Sequence, residues 1–427
     1  MYHCAMSIHI DEATIRTGLV ERFTRYVRVH TTSDRHSDTT PSTSRQFDLA
    51  RLLAQELEVI GVDDCRITEY GYVIARLPAR GTTSTTPLCF LAHMDTAPDS
   101  SGENVHPRLW DDYSGDVIDI GHERTLDPAD YPELLHYRGD TIITGDGSTL
   151  LGADDKAGVA EIMTAVAYLI EHPEISHGEI EVVFTPDEEI GRGVDKLDLR
   201  DLRSRFAYTV DGGREGSIEA ECFNAYSVRV EIEGYVIHPG SAKNKMVNAV
   251  SLAGRLLSML PQAESPEATE GRDGFYCPTE VSGNYGASRV DMIIRDFEIE
   301  EVHRRIDYIR SLAATLEKAY PPATITVTTH KQYLNMRDRI YESPFMIELL
   351  TEAVRASGAE VVMEPIRGGT DGSRLTEMGL PTPNIFTGGH NFHGPYEWIP
   401  LGSMVKATAT VLNLISLWAD RVSPEVE

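Results

Sequence analysis

Histidine and acidic side chains lie within a few residues after three short apolar segments of this chain, PLCFLA, EIEVVF and FAYTV. In chain order they are His93 and Asp95, then Glu188 and Glu189, and then Asp211. A short apolar run bounded by such residues is typical of a buried strand. Open α/β sheets build their binding sites at the carboxyl ends of their strands. We therefore expect these side chains to meet at one edge of a sheet.

Two further candidate regions lie elsewhere in the chain. Asp154 stands at the head of a strongly periodic helical segment, and the glycine-rich loop TGGHNFHGPYE contains both His390 and His393. Imidazoles and carboxylates without a nearby thiol suit zinc, with cobalt or manganese as substitutes. Two histidines and three carboxylates would fill two catalytic metal sites if one carboxylate bridges the ions, which leaves a position for water.

Each candidate also has a simpler explanation when it is taken alone. Asp154 could cap the helix that follows it. The pair Glu188 and Glu189 could stand in the first turn of a helix, where the macrodipole favours acidic residues. Asp211 precedes two glycines and could belong to an ordinary turn. All of these explanations would have to hold together for the site to vanish, so the sequence favours a metal centre.

The elements that must position these residues can be read from hydrophobic periodicity. Helical spacing predicts helices over 11–29, 45–60 and 155–170, and apolar or alternating runs predict strands over 65–77, 88–92, 179–184 and 206–210. A helix over 344–356, a strand at PNIFT and a closing helix to about 417 continue this pattern. Helices that alternate with short buried strands predict an α/β domain with a mostly parallel sheet.

The pattern changes after Asp211. The alternating segments SVRVEIEG, RVDMIIRDF and ATITVTTH are interleaved with helices predicted near 247–260 and 298–319, which is typical of an α+β domain. We therefore predict a catalytic domain of residues 1–216 and 332–427 that carries an inserted domain of residues 217–331. Residues 97–140 show little periodicity, and a segment of that length is usually functional or an insertion.

Bulk composition narrows the function classes. The formal charge is −28, from 39 basic and 67 acidic residues, which argues against nucleic acid or an anionic membrane as the main partner. Acidic residues can gather around bound cations, although surface solubility is the simpler explanation of the excess. The five cysteines are scattered without a CxxC pair, which favours a reducing compartment. No signal peptide or apolar run of about 20 residues is evident, so we predict a cytoplasmic protein.

Several stretches of the chain resemble the M20 metallopeptidases. They include LLGADDKAGVAEIMTA, FTPDEEIGRG, AYTVDGG, HPGSAKNKMVNA, PIRGGTDGS and TGGHNFHGPYE, and the resemblance extends from about residue 20 to residue 417. The long segment between His93 and Asp154 is similar to an insertion found in a tripeptide-cleaving branch of that family. The resemblance implies a zinc-exopeptidase catalytic domain of the α/β class with an inserted α+β lid domain.

The resemblance also implies which residues bind metal. It assigns two zinc ions per chain to five ligands, which are His93 and Asp211 for one ion, Glu189 and His393 for the other, and Asp154 as the bridge. His393 is preferred to His390 because the family's ligand directly precedes a glycine and stands four residues before an acid, here Glu397. A cis peptide bond is expected between Asp154 and Asp155.

Four other residues receive roles from the same resemblance. Asp95 would hydrogen-bond His93 from behind and fix its ring. Glu188 would be the general base that moves a proton from water to the leaving amine. His238, on the inserted domain, would stabilise the oxyanion. Arg367 would anchor the carboxylate of the substrate, which its guanidinium matches in geometry.

The implied activity is that of an aminopeptidase that releases the N-terminal residue from short peptides, chiefly tripeptides. The nearest alternative is an M20-type amidohydrolase that acts on N-acyl amino acids or dipeptides. A catalytically silent metal-binding module is a third hypothesis, and the presence of Glu188 argues against it. The expected partners are short peptides, with neither nucleic acid nor membrane, and a homodimer is compatible with the resemblance.

Overall fold

The structure is a computed structural model that describes residues 10–82 and 86–421. Its helices within those residues are, in chain order, α1 (Glu12–Tyr26), α2 (Gln46–Ile60), α3 (Ala153–Glu171), α4 (Ala249–Ser258), α5 (Ile299–Ala319), α6 (Arg337–Ile340), α7 (Phe345–Ala356), α8 (Asp371–Met378) and α9 (Leu401–Arg421).

The strands within the same residues are β1 (Asp64–Ile67), β2 (Val73–Leu77), β3 (Leu88–His93), β4 (Arg108–Trp110), β5 (Ile118–Gly121), β6 (Arg124–Leu126), β7 (Ile142–Thr144), β8 (Ile180–Thr185), β9 (Ala207–Gly212), β10 (Ser217–Glu219), β11 (Asn224–Glu233), β12 (Phe275–Gly283), β13 (Ala287–Asp296), β14 (Thr324–Tyr333), β15 (Val362–Met363), β16 (Asn384–Phe386) and β17 (Trp398–Pro400).

The chain divides into two compact units. The first comprises Met1–Ala220, Arg339–Glu364 and Thr370–Glu427, and the second comprises Glu221–Asp338 and Pro365–Gly369. The second unit thus includes a short segment that returns after residue 364. That segment contains Arg367, which the domain prediction had assigned to the catalytic domain.

The first unit is built on a large mixed sheet. Its strand order, within the described residues, is β1-β2-β8-β3-β9-β16-β10-β15. The four central strands β8, β3, β9 and β16 are parallel, whereas β1 and β2 at one side are antiparallel to their neighbours. All residues of β3 and β8 are buried, as expected of strands that are covered on both faces. The prediction of an α/β fold with a mostly parallel central sheet is confirmed.

Helices α1 and α3 illustrate how the sequence specifies this layer. The Asp11 carboxylate caps α1 by accepting a hydrogen bond from the backbone N–H of Ala13. Residues at helical spacing on α1 are buried, namely Ile15, Leu19, Phe23 and Tyr26. Helix α3 packs against α1, α9 and β3, and nearly every residue between Ala153 and Leu169 is buried. A helix that is buried on all sides is expected to be largely apolar, and α3 is so apart from a few residues such as Lys156 and Glu161.

The prediction of one strand over 65–77 is wrong. Two strands, β1 and β2, form an antiparallel pair there. Between them the chain turns at Gly71, which has a φ of 87°, and the backbone N–H of Thr68 donates to the carbonyl of Tyr72. Glycine adopts a positive φ at little cost. Alternation continues on both sides of the turn, which is why the pattern alone concealed it.

The second unit contains an antiparallel sheet in the order β12-β13-β11-β14, and α4 and α5 pack against it. The sequence pattern predicted three of these strands and missed β12. Pro278 lies within β12, and the pairing register shifts between Pro278 and Glu280. Proline is tolerated in edge strands and at bulges, but it disrupts the alternation by which a strand is recognised.

Residues 97–140 carry secondary structure of their own. They contain β4, the hairpin of β5 and β6, and a short 3₁₀ helix. A separate apolar cluster is formed largely by this segment and consists of Tyr113, Ile118, Ile120, Leu126, Leu134, Ile142 and Trp398. The segment therefore packs as an insertion with a small core rather than as an extended loop.

Helix α9 is long and apolar enough to cross a membrane by length and composition, and it is the single such helix among the described residues. Polar residues such as Lys406 and Asn413 interrupt α9, so it is not the uninterrupted apolar run of about 20 residues that the sequence analysis looked for. Within the fold, most of its residues are buried. The packing of α9 against α3, α7 and α1 accounts for its apolar character.

Candidate metal centre

The candidate ligands lie at the carboxyl-terminal edge of the parallel strands. His93 is the last residue of β3 and is paired in register with Thr185 at the end of β8. Asp211 lies near the end of β9. Glu189 belongs to a three-residue 3₁₀ turn, Glu188–Ile190, that follows β8, and His393 lies in the loop after β16. The parallel topology therefore brings these chain segments to one place, as strand-end sites require.

Two groups of possible metal ligands form there, and within each group the ligand atoms lie within 4.8 Å of one another. In the first group, Nε2 of His93 is 2.9 Å from Oδ1 of Asp154 and 3.6 Å from Oδ1 of Asp211. In the second group, Nε2 of His393 is 3.1 Å from Oδ2 of Asp154 and 3.1 Å from Oε2 of Glu189. Asp154 therefore directs one carboxylate oxygen to each group.

The capping explanation of Asp154 does not describe its contacts. Asp154 has non-helical backbone angles, with φ −85° and ψ 104°. The carboxylate that accepts a hydrogen bond from the first regular turn is that of Asp155, which bonds the backbone N–H of Gly158 at 3.1 Å. The second carboxylate oxygen of Asp155 accepts a hydrogen bond from the backbone N–H of His93. The Asp154–Asp155 peptide bond is cis, as expected.

The carboxylates of the two groups lie close together and are buried, and this changes their pKa values. Burial, with the Asp154 carboxylate nearby, raises the pKa of Glu189 to about 8. Burial also raises the pKa of Asp211, against the lowering effect of His93. Burial acts to raise the pKa of Asp154 too, but hydrogen bonds from His393 and His93 outweigh it and hold that pKa below its ordinary value. The site therefore concentrates more negative charge than its two imidazoles balance.

These residues fit divalent metal ions. One oxygen of Glu189, Oε1, is buried and has no hydrogen-bond partner, although a buried polar atom is normally paired. The donor set consists of imidazole nitrogens and carboxylate oxygens, which suits zinc and similar divalent ions. Cations would also offset the carboxylate charge that burial makes unfavourable. A metal cofactor is thus what the chemistry of the site supports.

Asp95 contacts both the His93 ring and the Glu188–Glu189 turn. Nδ1 of His93 lies 3.1 Å from the backbone oxygen of Asp95 and 3.4 Å from its carboxylate. The Asp95 carboxylate also accepts hydrogen bonds from the backbone N–H groups of Glu188 and Glu189, at 3.0 and 3.2 Å. Asp95 therefore fixes the backbone of the Glu188–Glu189 turn, while its own carbonyl is the hydrogen-bonding partner of the His93 ring.

Glu188 stands beside the two groups without belonging to either. Burial raises its pKa well above the ordinary value, and the Asp211 and Asp371 carboxylates add to that effect against the lowering effect of His93. Its backbone is held by Asp95. A carboxyl group in this position can accept and return a proton without occupying a ligand position.

Buried acids that the sequence interpretation did not select support this region. Asp187 accepts hydrogen bonds from the backbone and hydroxyl of Ser42 and from the amide of Gln46. Asp371 accepts one from the Thr185 hydroxyl at 2.6 Å. Both acids lie inside motifs already singled out, FTPDEEIGRG and PIRGGTDGS. Their position in those motifs was the available signal, but their partners could not be known.

His390 takes part in a different arrangement from His393. Its ring stacks on Trp398 with centroids 4.0 Å apart, and its Nε2 lies 3.2 Å from the hydroxyl of Tyr137. Burial lowers the pKa of His390 to about 4. It belongs to neither ligand group, so its contacts are those of a packed ring next to the inserted segment.

His238 and Arg367 both belong to the second unit. His238 is exposed, and its Nδ1 accepts a hydrogen bond from the backbone N–H of Gly240. The guanidinium of Arg367 donates to the carbonyls of Gly271 and Asp273 and to Thr269. It also lies over the Phe223 ring at 5.1 Å. The roles expected of these two residues stay predictions.

Comparison with known proteins places the chain in a family. The model of peptidase family M20/M25/M40 matches residues 146–417. Peptidase T from Clostridium perfringens is 50% identical over 401 residues, which cover 94% of this chain and 99% of that protein.

Solved structures share the fold. The crystal structure of aminopeptidase PepT from Bacillus cereus has a TM-score of 0.73 at 21% identity and covers 94% of this chain and 98% of its own. A tripeptidase from Staphylococcus aureus has a TM-score of 0.75 at 21% identity and covers 95% and 99%. The extent of the sequence match shows that this chain belongs to the M20 peptidases.

Proposed function

We propose that this protein is a metallo-aminopeptidase that releases the N-terminal residue from short peptides, chiefly tripeptides. The observation that carries the proposal is the position of Asp154, whose two oxygens face different ligand groups, with Glu188 beside them as a free carboxyl group. The relative named peptidase T and the solved structures described as an aminopeptidase and a tripeptidase support the same activity.

The proposed centre would hold two divalent ions per chain, with zinc as the expected metal and cobalt or manganese as substitutes. His93 and Asp211 would bind one ion, Glu189 and His393 would bind the other, and Asp154 would contribute to both. Ions bound there supply Lewis-acid chemistry, because they lower the pKa of water and polarise a carbonyl oxygen. Asp95 keeps the Glu188–Glu189 turn in place because its carboxylate accepts hydrogen bonds from the backbone N–H groups of both residues.

Glu188 carries the proton transfer. It removes a proton from the attacking water and returns it to the nitrogen of the leaving amine as the peptide bond breaks. The amide N–H of Glu188 is fixed by Asp95, so the side chain starts from a constrained backbone. A positioned general base and acid of this kind contributes about 10²–10⁴-fold to a rate.

His238 and Arg367 are proposed to act on the substrate. His238 would stabilise the oxyanion of the tetrahedral intermediate, and Arg367 would bind the carboxylate of the peptide. Both Nη atoms of Arg367 already donate within the second unit. Binding of a carboxylate would therefore use its Nε–H group or replace one of those bonds.

The test is hydrolysis of matched di-, tri- and tetrapeptides by zinc-reconstituted protein, with chelated metal-free protein as the control. Fastest release of the N-terminal residue from the tripeptide is expected, together with poor cleavage of the same tripeptide after N-acetylation. Equal cleavage of free and acetylated peptides would instead indicate the amidohydrolase. No hydrolysis by protein with its full metal content would indicate a silent metal-binding module. Light scattering and cell fractionation test the expected homodimer and cytoplasmic location.

A further inference from the structure

Glu397 is a buried carboxylate that belongs to neither ligand group. It lies in the same loop as His393, and only 1% of its surface is exposed. Its Oε2 accepts hydrogen bonds from the backbone N–H groups of Leu151 and Gly152, at 2.7 and 2.8 Å. Its Oε1 accepts one from the backbone N–H of Asp154 at 3.0 Å. One side chain thus collects three main-chain donors from the segment that leads to Asp154.

That segment needs an external anchor. Gly152 has a φ of 82°, and Asp154 has non-helical backbone angles. Amides that precede the regular part of a helix have no partner within the helix. A carboxylate at the amino end of α3 pairs them and is also favoured by the helix dipole. Because the donors are main-chain groups, Glu397 constrains the backbone from which the Asp154 side chain extends.

We propose that Glu397 is a positioning residue that fixes the Asp154 carboxylate relative to the His393 loop and thereby sets the affinity of the centre for metal. The proposal rests on the proposed function, in that Asp154 binds both ions. Asp154 and His393 are far apart in the chain, and the carboxylate of Glu397 links their two segments directly. Partners that orient metal ligands typically change metal affinity by about 10–100-fold.

The substitution Glu397→Gln tests this role with little change of shape. Glutamine has one acceptor oxygen and a donor amide group, so its NH₂ would face a backbone N–H and leave at least one of the three donors without a partner. Leaving a buried donor unpaired is unfavourable. The Asp154 backbone is then free to move, and the two ligand groups lose their common geometry.

Glu181 offers a matched control in the same unit. It is also fully buried, and its Oε2 accepts the backbone N–H groups of Arg203 and Ser204 at 2.9 and 2.7 Å. Its Oε1 accepts a hydrogen bond from Nε of Arg76. It contacts none of the proposed ligands. Glu181→Gln therefore reports what the loss of a buried carboxylate does to the fold without altering the backbone at Asp154.

The experiment is a titration of metal-free protein with Co²⁺ in competition with a chelator, followed by visible absorption, and a thermal melt of each metal-free variant. Glu397→Gln is expected to bind at least one Co²⁺ about 10–100-fold more weakly than wild type, with an altered absorption spectrum. Glu181→Gln is expected to keep both the wild-type affinity and the wild-type spectrum, even where the two variants lower Tm equally.

Wild-type affinity and spectrum in Glu397→Gln would overturn the proposal. If that variant does not fold, Glu397→Asp replaces it, because a carboxylate that is one methylene shorter cannot reach all three amides. Wild-type Co²⁺ binding by folded Glu397→Asp would overturn the proposal equally. A wild-type protein that binds no Co²⁺ would refute the proposed function instead, so the two failures are distinguishable.

Discussion

The two halves of the candidate centre differ in how firmly the fold holds their imidazoles. His93 is the last residue of a buried strand, and its side chain is 2% exposed. His393 lies in a loop and has a backbone φ of 66°, and its side chain is 44% exposed. Nδ1 of His93 lies 3.1 Å from a backbone carbonyl. Nδ1 of His393 lies 3.9 Å from the carboxylate of Asp99, which is itself 44% exposed. We infer that the group of His93 and Asp211 forms a rigid half of the centre and the group of Glu189 and His393 an open half. The two halves share Asp154.

This difference has a consequence for metal exchange. A ligand that is fixed by the fold does not have to be ordered again each time an ion binds, whereas an exposed loop ligand must be ordered. In the proposed centre, an ion bound by His93 and Asp211 is therefore expected to exchange more slowly than an ion bound by Glu189 and His393. Loss of a ligand should abolish this difference, whereas substitutions outside the two ligand groups should leave it unchanged.

The largest effect is expected from Asp154→Ala, because Asp154 faces both ligand groups. Both ions should be lost together, and activity should fall by more than the roughly 100-fold that follows the loss of an outer partner of a metal ligand. Elemental analysis after dialysis against zinc checks the metal content. Retention of one tightly bound ion would show that one half does not depend on Asp154.

Glu188→Gln should lower kcat by about 10²–10⁴-fold, because the proton carrier is lost. It should leave both ions and their exchange rates unchanged, since Glu188 belongs to neither ligand group. Glu189→Gln is the matched variant, and it should weaken the binding of the ion on the open side. Steady-state kinetics together with metal analysis of the two variants check the assignment. The opposite pattern would exchange the roles of base and ligand.

His238→Ala should lower kcat by about 10²–10³-fold, as the loss of one oxyanion donor does. Metal content and the exchange rates of both ions should stay at their wild-type values, because His238 lies in the second unit. Kinetic constants on a tripeptide, measured beside the zinc content of the same sample, check this. Near-normal kcat would leave His238 as a surface residue without a part in catalysis.

A stepwise loss of metal should reveal the two halves directly. During stopped-flow chelation of the Co²⁺ protein, a fast phase and a slow phase of equal amplitude are expected. His393→Ala should remove the fast phase and His93→Ala the slow one. A single phase in the wild-type protein would mean that the difference in exposure between the two histidines does not affect exchange.

The smallest effect is expected from His390→Phe. Phenylalanine keeps a ring against Trp398 but loses the contact with the Tyr137 hydroxyl. A single hydrogen bond contributes about 1 kcal/mol to stability, so a small fall in Tm is expected without any change in metal binding. Thermal melts with and without zinc check this. Loss of one ion from the His390 variant would contradict the choice of His393 as the ligand.

The sequence predicted the strand-end positions of His93, Glu189 and Asp211 because each follows a short apolar segment. The parallel pairing of those strands then brings the three residues to the same edge of the sheet. It did not reveal the partners of Asp95, Asp371 or Glu397. Those contacts join residues that are far apart in the chain, as in the bond between Glu397 and the amide of Asp154, which are 243 positions apart. Periodicity reports which face of an element is buried, but it does not report what a buried carboxylate meets there.

Local conformation limited the prediction in a similar way. The turn at Gly71 lay inside an uninterrupted alternation, and β12 was hidden by Pro278. In both places the hydrophobic pattern was compatible with more than one path of the backbone. A single residue with special backbone requirements decided between those paths.

The position of β16 in the central sheet has a consequence for biosynthesis. This strand pairs with β9 on one side and with β10 on the other, although it follows both of them by more than 160 residues in the chain. A nascent chain that ends before Asn384 therefore has a gap in the middle of its sheet and lacks His393. Pairings between residues so distant form slowly. The proposed metal centre could therefore be completed only after His393 has been synthesised and β16 has paired, and metal content would then report whether a molecule has completed its central sheet.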